Sequence, residues 1–288
     1  MENKQPLVSV IMNCYNSDKY LNEAIDSVIV QTYQNWEIIF WDNQSTDKSA
    51  DIVRSYNDER IKYFYAPKHT LLGEARNLAI DKAKGEWFGI LDCDDVWYSN
   101  KLEVQLKNVS DDIGMIYSRA EFLIEGNGSN SYMAKSIKKS YYPKRKKLPS
   151  GDIFSELLYD CFIPLPSVLI KKSLFIKVGG IDGSLKVAED YDIFLKIAHL
   201  FKVKSDDMIL CKYRVHDNNL SHENIEVTFS ESIALVSSYD KYPKINSYVL
   251  DWKMKHIKTL LVRMELKKAF IEFLSLNPFE LFKIIIKN

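Results

Sequence analysis

Four times between Leu7 and Leu91 a short apolar run begins a unit of strand followed by helical spacing, and that alternation limits the chain to few folds. Leu7–Met12 (LVSVIM) is almost continuously apolar, as in a strand buried on both faces. Leu21, Ala24, Ile25, Val28 and Ile29 follow at helical spacing, with Asn16 or Ser17 as the cap. Trp36–Trp41 is a second strand, and Asn43–Asp47 (NQSTD) a turn with an acidic helix start, leading into a helix through Ile52 and Val53. Ile61–Tyr65 is a third strand. Leu71–Ala83 is a helix, ended by Gly85 at a C′-type position, and Glu86–Leu91 is a fourth strand. The order implies an α/β, Rossmann-like, mostly parallel twisted sheet flanked by helices, with right-handed crossovers. Ligands of such sheets bind beyond the carboxyl ends of the strands.

Beyond Leu91 the pattern loosens. Ile113–Ser118 and Glu121–Glu125 are read as two strands, followed by a turn at GNGSN (126–130) and an exposed basic loop at 135–147. Ser167–Ile170 is a short strand. Glu189–Phe201 is a helix with Ile193, Phe194, Ile197, Ala198 and Phe201 on one face. Met208–Val215 is a strand, and from about Glu223 only helices are expected.

Three acidic clusters bear on chemistry. Asp92-Cys93-Asp94-Asp95 follows the fourth strand directly. Carboxylates at i and i+2 of extended chain point the same way and call for a cation; hard oxygens at an open site suit Mg²⁺ or Mn²⁺ completed by a diphosphate. The competing reading is an acidic helix cap before Val96 and Trp97. Asp42 ends the second strand, where it can accept from a nucleobase N–H or a ribose hydroxyl, or simply shape the turn; Asp47 is more readily a helix-start residue. Ala188-Glu189-Asp190-Tyr191-Asp192 follows a glycine-rich loop, Gly179–Gly183. These acids suit either a helix dipole or a general base, Asp190, behind a loop that admits substrate.

These motifs together resemble family 2 glycosyltransferases, which have the GT-A fold. The resemblance runs through VSVIMNCYN (8–16), WDNQSTD (41–47), GEARN (73–77) and LDCDD (91–95). It continues through PSVLIKKSLFIKVGGID (166–182), AEDYDIFLKIA (188–198) and YRVHDNNLS (213–221), and so covers roughly residues 6–222. It implies that Asp42 holds the donor base, usually uracil, that Arg76 approaches the base or diphosphate, and that Asp92 touches the ribose. Asp94 would ligate Mn²⁺ or Mg²⁺, with Asp92, Asp95 and His216 near the metal or diphosphate. Asp190 would be the catalytic base, supported by Glu189. Asn43 departs from the pattern, since many relatives carry a second Asp there. Residues 1–222 would form the catalytic domain, with a nucleotide-sugar-binding half (1–110) and an acceptor-side half (111–222). Residues 223–288 would be a helical extension to which no role carries over.

The implied reaction is inverting transfer from a nucleotide-sugar donor, UDP-linked for preference, to a glycan or lipid-linked acceptor of a bacterial surface polysaccharide such as lipopolysaccharide or capsule. Other classes fit less well. A sugar-nucleotide pyrophosphorylase would favour a glycine-rich phosphate loop after the first strand, where this chain has NCYNSDKY. An inactive sugar-binding or scaffold protein would not need Asp94 and Asp190. Lys+Arg and Asp+Glu both number 39, without the basic excess of a nucleic-acid binder. Four cysteines without a CxxC pair read as reduced thiols, and no signal peptide or apolar run of about 18 residues is seen. The expected location is therefore cytoplasmic. Basic and bulky apolar residues alternate from Lys253 to Lys287, interrupted by Pro278, which suits two helices lying on the inner face of the cell membrane or packing on protein, as in a homodimer.

Overall fold

The computed structural model describes residues 5–125, 141–216, 219–220 and 224–276. The GNGSN turn, the first part of the basic loop, Asp217, Asn218 and Ser221 of the YRVHDNNLS motif, and the run around Pro278 lie outside the described residues.

β1 (Val8–Cys14) and β2 (Trp36–Asp42) are buried along their whole length. β1 pairs in parallel with β2 on one side and β4 (Trp87–Ile90) on the other, and β3 (Ile61–Tyr65) extends the parallel set beyond β2. Because side chains alternate across a strand, Ile11, Ile39 and Trp41 face Ala75, Ala79 and Ile80 of α3 (Leu72–Lys82). Val10, Met12 and Cys14 face Leu21, Ala24, Ile25 and Val28 of α1 (Asp18–Ile29) on the other side. Cys14 is level with Asp42 and Ile11 with Ile90, so the ends of β1, β2 and β4 open on one edge. α2 (Ser49–Ser55) follows β2.

The α/β expectation holds, and the unbroken run of parallel pairs is interrupted where the repeats end. The sheet is mixed: β8 (Leu169–Lys171) is antiparallel to β4 and to β6 (Ile113–Ile124), β9 (Lys202–Val215) is parallel to β6, and β5 (Val96–Trp97) is antiparallel to β9. β7 (Tyr141–Tyr142) pairs with β6. The two strands expected at 113–125 are one, with register shifts at Arg119 that blur its sequence period. β9 starts at Lys202, earlier than expected, because its first half is largely exposed and lacks an apolar signal. α4 (Lys101–Leu106), α5 (Phe154–Tyr159) and α6 (Lys172–Lys177) went unseen; six residues each is too short for a helical period to register.

Two local signals act differently from expectation. Gly85 does not cap α3 in the left-handed region. A Cβ there would lie 2.7 Å from Ser9 N and Oγ, so the glycine permits the backbone to cross β1 closely. At α1, neither Asn16 nor Ser17 caps the helix with its side chain. Asp47 does so from the β2–α2 turn, accepting from Asp18 N at 3.0 Å through one oxygen and from Ser49 N at 3.0 Å through the other.

α7 (Glu189–Leu200) packs under the β6–β9 half of the sheet. The C-terminal region is helical as expected: α8 (Ile225–Ser237), α9 (Ile245–Val262) and α10 (Leu266–Leu274). It is not a detached appendage, because Val236, Ile245 and Trp252 join the core that contains Leu157, Tyr191 and Phe194. Trp252 Nε1 donates to Leu158 O at 2.9 Å, and its ring lies 5.4 Å from that of Tyr191. Among the described residues no helix is long and apolar enough to cross a membrane. Trp252→Ala should lower the unfolding free energy by about 3–5 kcal/mol, the usual cost of deleting a buried Trp. Urea unfolding followed by circular dichroism checks this; a loss below about 1 kcal/mol would mean that α9 does not share the main core.

Candidate active site

The carboxyl edge of the parallel strands opens into a cavity of about 770 Å³. Its wall carries Asn13, Arg76, Asp92, Asp94, Glu189 and Asp190, with His216 at one side. Residues more than a hundred positions apart in sequence therefore converge, as the strand-end rule requires.

Asp92–Asp95 forms a turn, with Asp95 N donating to Asp92 O at 3.1 Å. Two buried arginines hold it. Arg76 on α3 donates through Nη2 to Asp92 Oδ1 at 2.8 Å and through Nη1 to Glu189 Oε1. Arg214 on β9 donates through its backbone N to Asp95 Oδ1 at 2.8 Å and through Nε to Asp94 O at 2.6 Å. Its two Nη groups reach Glu125 and Glu23, and its guanidinium lies 4.1 Å from the Tyr20 ring centre.

The three aspartates therefore differ. Asp95 is buried, and burial together with the charges of Asp94 and Asp92 pushes its carboxyl well above the usual range. Asp92 and Asp94 stay about one-third open, with side-chain exposures of 33% and 28%. Asp94 Oδ2 lies 2.9 Å from His216 Nε2. Among the described residues no three His, Cys, Asp or Glu side chains form a ready metal cage. A hard divalent cation held by one or two protein groups and completed by phosphate oxygens needs no such cage, and the Asp94–His216 pair fits that mode.

Across the cavity, α7 begins with Glu189 and Asp190. Burial raises the Glu189 carboxyl to about 8, although Arg76 beside it pulls the other way. Asp190 is likewise raised by burial, with Arg76 opposing, and its Oδ1 accepts from Tyr191 N at 2.6 Å. Burial opposes the charge on Arg76 as well, but Asp92, Glu189 and Asp190 outweigh it and keep the guanidinium protonated. The Gly179–Gly183 loop before α7 is pinned: Asn77 Nδ2 donates to Ile181 O at 2.8 Å, and Asp182 N donates to Asp192 Oδ2 at 2.8 Å.

Asp42 lies below the wall. It is fully buried, accepting from Tyr63 Oη at 2.6 Å and from Ser45 N at 2.7 Å. Ser45 Oγ in turn accepts from Asn16 N at 3.0 Å, so Asp42 reaches the cavity through the turn it holds. Asn43 ties that strand end to the loop before α3, its Nδ2 donating to Thr70 O at 2.8 Å.

Three residues escaped the sequence reading. Asn13 is 92% buried on the wall, yet neither carboxamide atom has a partner. It is the first polar residue after an apolar strand, a position at which the strand-end rule could have flagged it. Arg214 stands inside YRVHDNNLS, but a lone arginine in a strand carries no signal of its own. Glu231 on α8 accepts from the backbone N–H groups of Lys186, Val187 and Ala188 at 2.8, 3.0 and 3.0 Å, immediately before the catalytic-base candidate. It belongs to the region for which sequence offered no role.

The profile of Glycosyl transferase family 2 matches residues 9–159, more than half of the chain. The chain belongs to this family. It is 37% identical over 214 residues to the uncharacterized glycosyltransferase RT0329 of Rickettsia typhi, covering 74% of this chain and 65% of that one. The chain thus spans somewhat less than two thirds of that relative. It is 29% identical over 218 residues to the Escherichia coli UDP-Glc:alpha-D-GlcNAc-diphosphoundecaprenol beta-1,3-glucosyltransferase WfgD, covering 75% of this chain and 79% of WfgD. The crystal structure of S. aureus TarS 1–349 superposes with a TM-score of 0.64 at 19% identity, over 87% of this chain and 72% of that one. This likeness bears out the GT-A fold.

The Glu231 contact is open to a direct check. Glu231→Ala leaves three amides without their acceptor, and a stability loss of about 1–3 kcal/mol is expected. Faster hydrogen exchange at Lys186, Val187 and Ala188 should accompany it. Unchanged exchange at those amides would mean that α8 does not hold the loop.

Proposed function

We propose that this chain is an inverting glycosyltransferase that moves a sugar from a nucleoside-diphosphate donor to a hydroxyl of a glycan or lipid-linked acceptor. One observation carries the reading: a single cavity at the carboxyl edge has the Asp92–Asp95 turn on one wall and Asp190, its carboxyl raised by burial, on another. A UDP-sugar is the preferred donor and a lipid-linked surface-glycan precursor the preferred acceptor, a choice supported by the name of the relative WfgD. Residues 1–222 would supply the catalytic domain, 1–110 on the donor side and 111–222 on the acceptor side, and 223–288 its helical extension.

The acceptor hydroxyl oxygen attacks the anomeric carbon on the face opposite the diphosphate. The carbon–oxygen bond to the diphosphate breaks, and Asp190 takes the hydroxyl proton as general base. One displacement of this kind inverts the anomeric configuration, with no covalent intermediate and no second catalytic carboxylate. A carboxylate held above its usual pKa is a stronger base, and this is the service burial gives Asp190. Arg76 fixes Glu189 behind that base and Asp92 on the donor side, so both walls keep register. Asp92 is assigned to the ribose, and Asp42 to the donor-base end through the Ser45 turn. Asp94 and His216, flanked by Asp92 and Asp95, would hold Mn²⁺ or Mg²⁺. When bound, such a cation offsets the charge gathering on the departing diphosphate. Asn13, with an unpaired donor and an unpaired acceptor on the wall, is assigned to the donor nucleotide.

Incubation with a panel of UDP-sugars and Mn²⁺ should release UDP, and excess EDTA should stop the release; full activity in EDTA would overturn the metal role. Asp190→Asn should cost roughly 10²–10⁴-fold in rate with donor binding little changed. NMR should find the product anomer opposite to the donor's, and retention would overturn the mechanism. In the wild type the rate should fall as pH drops through the Asp190 pKa, and this acid limb should lie above the ordinary aspartate value of 3.8.

Asn13→Ala separates ligand binding from folding. Removing an unpartnered buried amide should leave the melting temperature of the ligand-free protein unchanged or raised. UDP affinity by calorimetry should fall up to about tenfold, the worth of a lost neutral hydrogen bond. Unchanged UDP affinity would return Asn13 to a purely structural role.

A further inference from the structure

The last described helix is built inside out. Residues 265, 269, 272 and 276 recur at helical spacing and form the side of α10 turned toward the protein, but they are Glu265, Ala269, Glu272 and Leu276. Only Ala269 and Leu276 are buried. The outward arc carries Leu266, Phe270, Ile271, Phe273 and Leu274, exposed by 56%, 63%, 56%, 41% and 64%. Leu261, Val262 and Met264, in the corner before it, are exposed as well. An amphipathic helix on a globular protein turns its large apolar side chains inward. Here they point away, and contiguous exposed apolar surface marks an interaction face.

The charges around that face decide its occupant. Residues 253–276 hold six Lys or Arg (Lys253, Lys255, Lys258, Arg263, Lys267, Lys268) against two acids, Glu265 and Glu272. Both acids are turned toward the protein or tied up: Glu265 pairs with Arg263 at 2.8 Å and Lys268 at 2.9 Å, and Glu272 faces His256 at 3.8 Å. Lys258 and Lys267 are exposed beside the apolar arc, while Arg263 and Lys268, also exposed, are held by Glu265, and Lys268 by Glu226 of α8 as well. A twofold dimer through this face would bring the same cations of two copies together, at an electrostatic cost. An anionic bilayer meets both features, taking the apolar arc into the acyl boundary and the cations at the headgroups.

We propose that α10 and the corner before it form a surface that docks this protein peripherally on an anionic phospholipid bilayer. The docking is reversible and interfacial, since the apolar arc belongs to a helix of nine residues that lies along the surface.

Vesicle flotation of the full chain tests it, using phosphatidylcholine vesicles with and without 30% phosphatidylglycerol. The wild type should float with the anionic vesicles and be largely released by about 0.5 M salt, where charges are screened. Phe270→Glu/Leu274→Glu should cut binding at least tenfold. Lys258→Gln/Lys267→Gln should weaken it about fivefold per charge removed. All four positions are exposed, and unchanged melting temperatures would confirm that both variants are folded. Failure of the wild type to float with anionic vesicles would overturn the proposal, as would binding that neither variant reduces. A dimer seen in sedimentation that Phe270→Glu/Leu274→Glu dissolves, without vesicle binding, would overturn it in favour of a contact between copies.

Discussion

The site depends on one buried cation. Arg76 is almost fully buried and joins Asp92 at the end of β4 to Glu189 at the start of α7, segments 97 residues apart (189 − 92). A guanidinium in that position is costly to desolvate, and only close carboxylates make it tolerable. Conversely, Arg76 opposes the rise that burial imposes on the Glu189 and Asp190 carboxyls. Its planar fork also sets the distance between the two walls, which a flexible ammonium would not do.

Arg214 repeats the device from β9, and the two arginines divide the work. Arg76 leaves Asp92 and Asp94 open to the cavity. Arg214 binds the backbone of Asp94 and, through its own N–H, the carboxylate of Asp95 beneath. Arg214 therefore fixes the acidic turn through atoms that a ligand does not need. The open carboxylates keep a field suited to a cation, while Asp95, raised far above the usual range, need not add a third negative charge.

What could be read from the sequence follows from how local each cause is. β1 and β2 are mostly apolar because both faces are covered, and that cause lies within seven residues. Asp92–Asp95 was legible because strand-end acids are adjacent in sequence. The reversal of the sheet after β4 was not, since β8 contributes only three residues and its direction is set by partners elsewhere. Asp47 looked like the start of α2, and it caps α1 as well, across 29 residues. Arg214 and Glu231 act entirely through distant partners, and nothing near them in sequence announces it. Asn43, the departure from the family resemblance, has a structural task here, bonding Thr70.

The C-terminal helices bring these strands of argument together. Trp252 and Glu231 tie α9 and α8 to the core and to the loop before Glu189, so this segment cannot be lost without loosening the Glu189–Asp190 side of the cavity. α10 makes the opposite choice, giving its small and acidic residues to the protein and its aromatic and aliphatic ones to the outside. A chain selected only to complete the core would have reversed that order, since turning Phe270 or Leu274 inward gains roughly 1.5–3 kcal/mol each. Forgoing that gain, with cations beside the same arc, is the pattern of a surface shaped by something outside the fold. The helices nearest the core steady the wall that carries Asp190, and the helix beyond them faces the proposed bilayer. One short segment thereby links whatever α10 touches to the wall that carries Asp190.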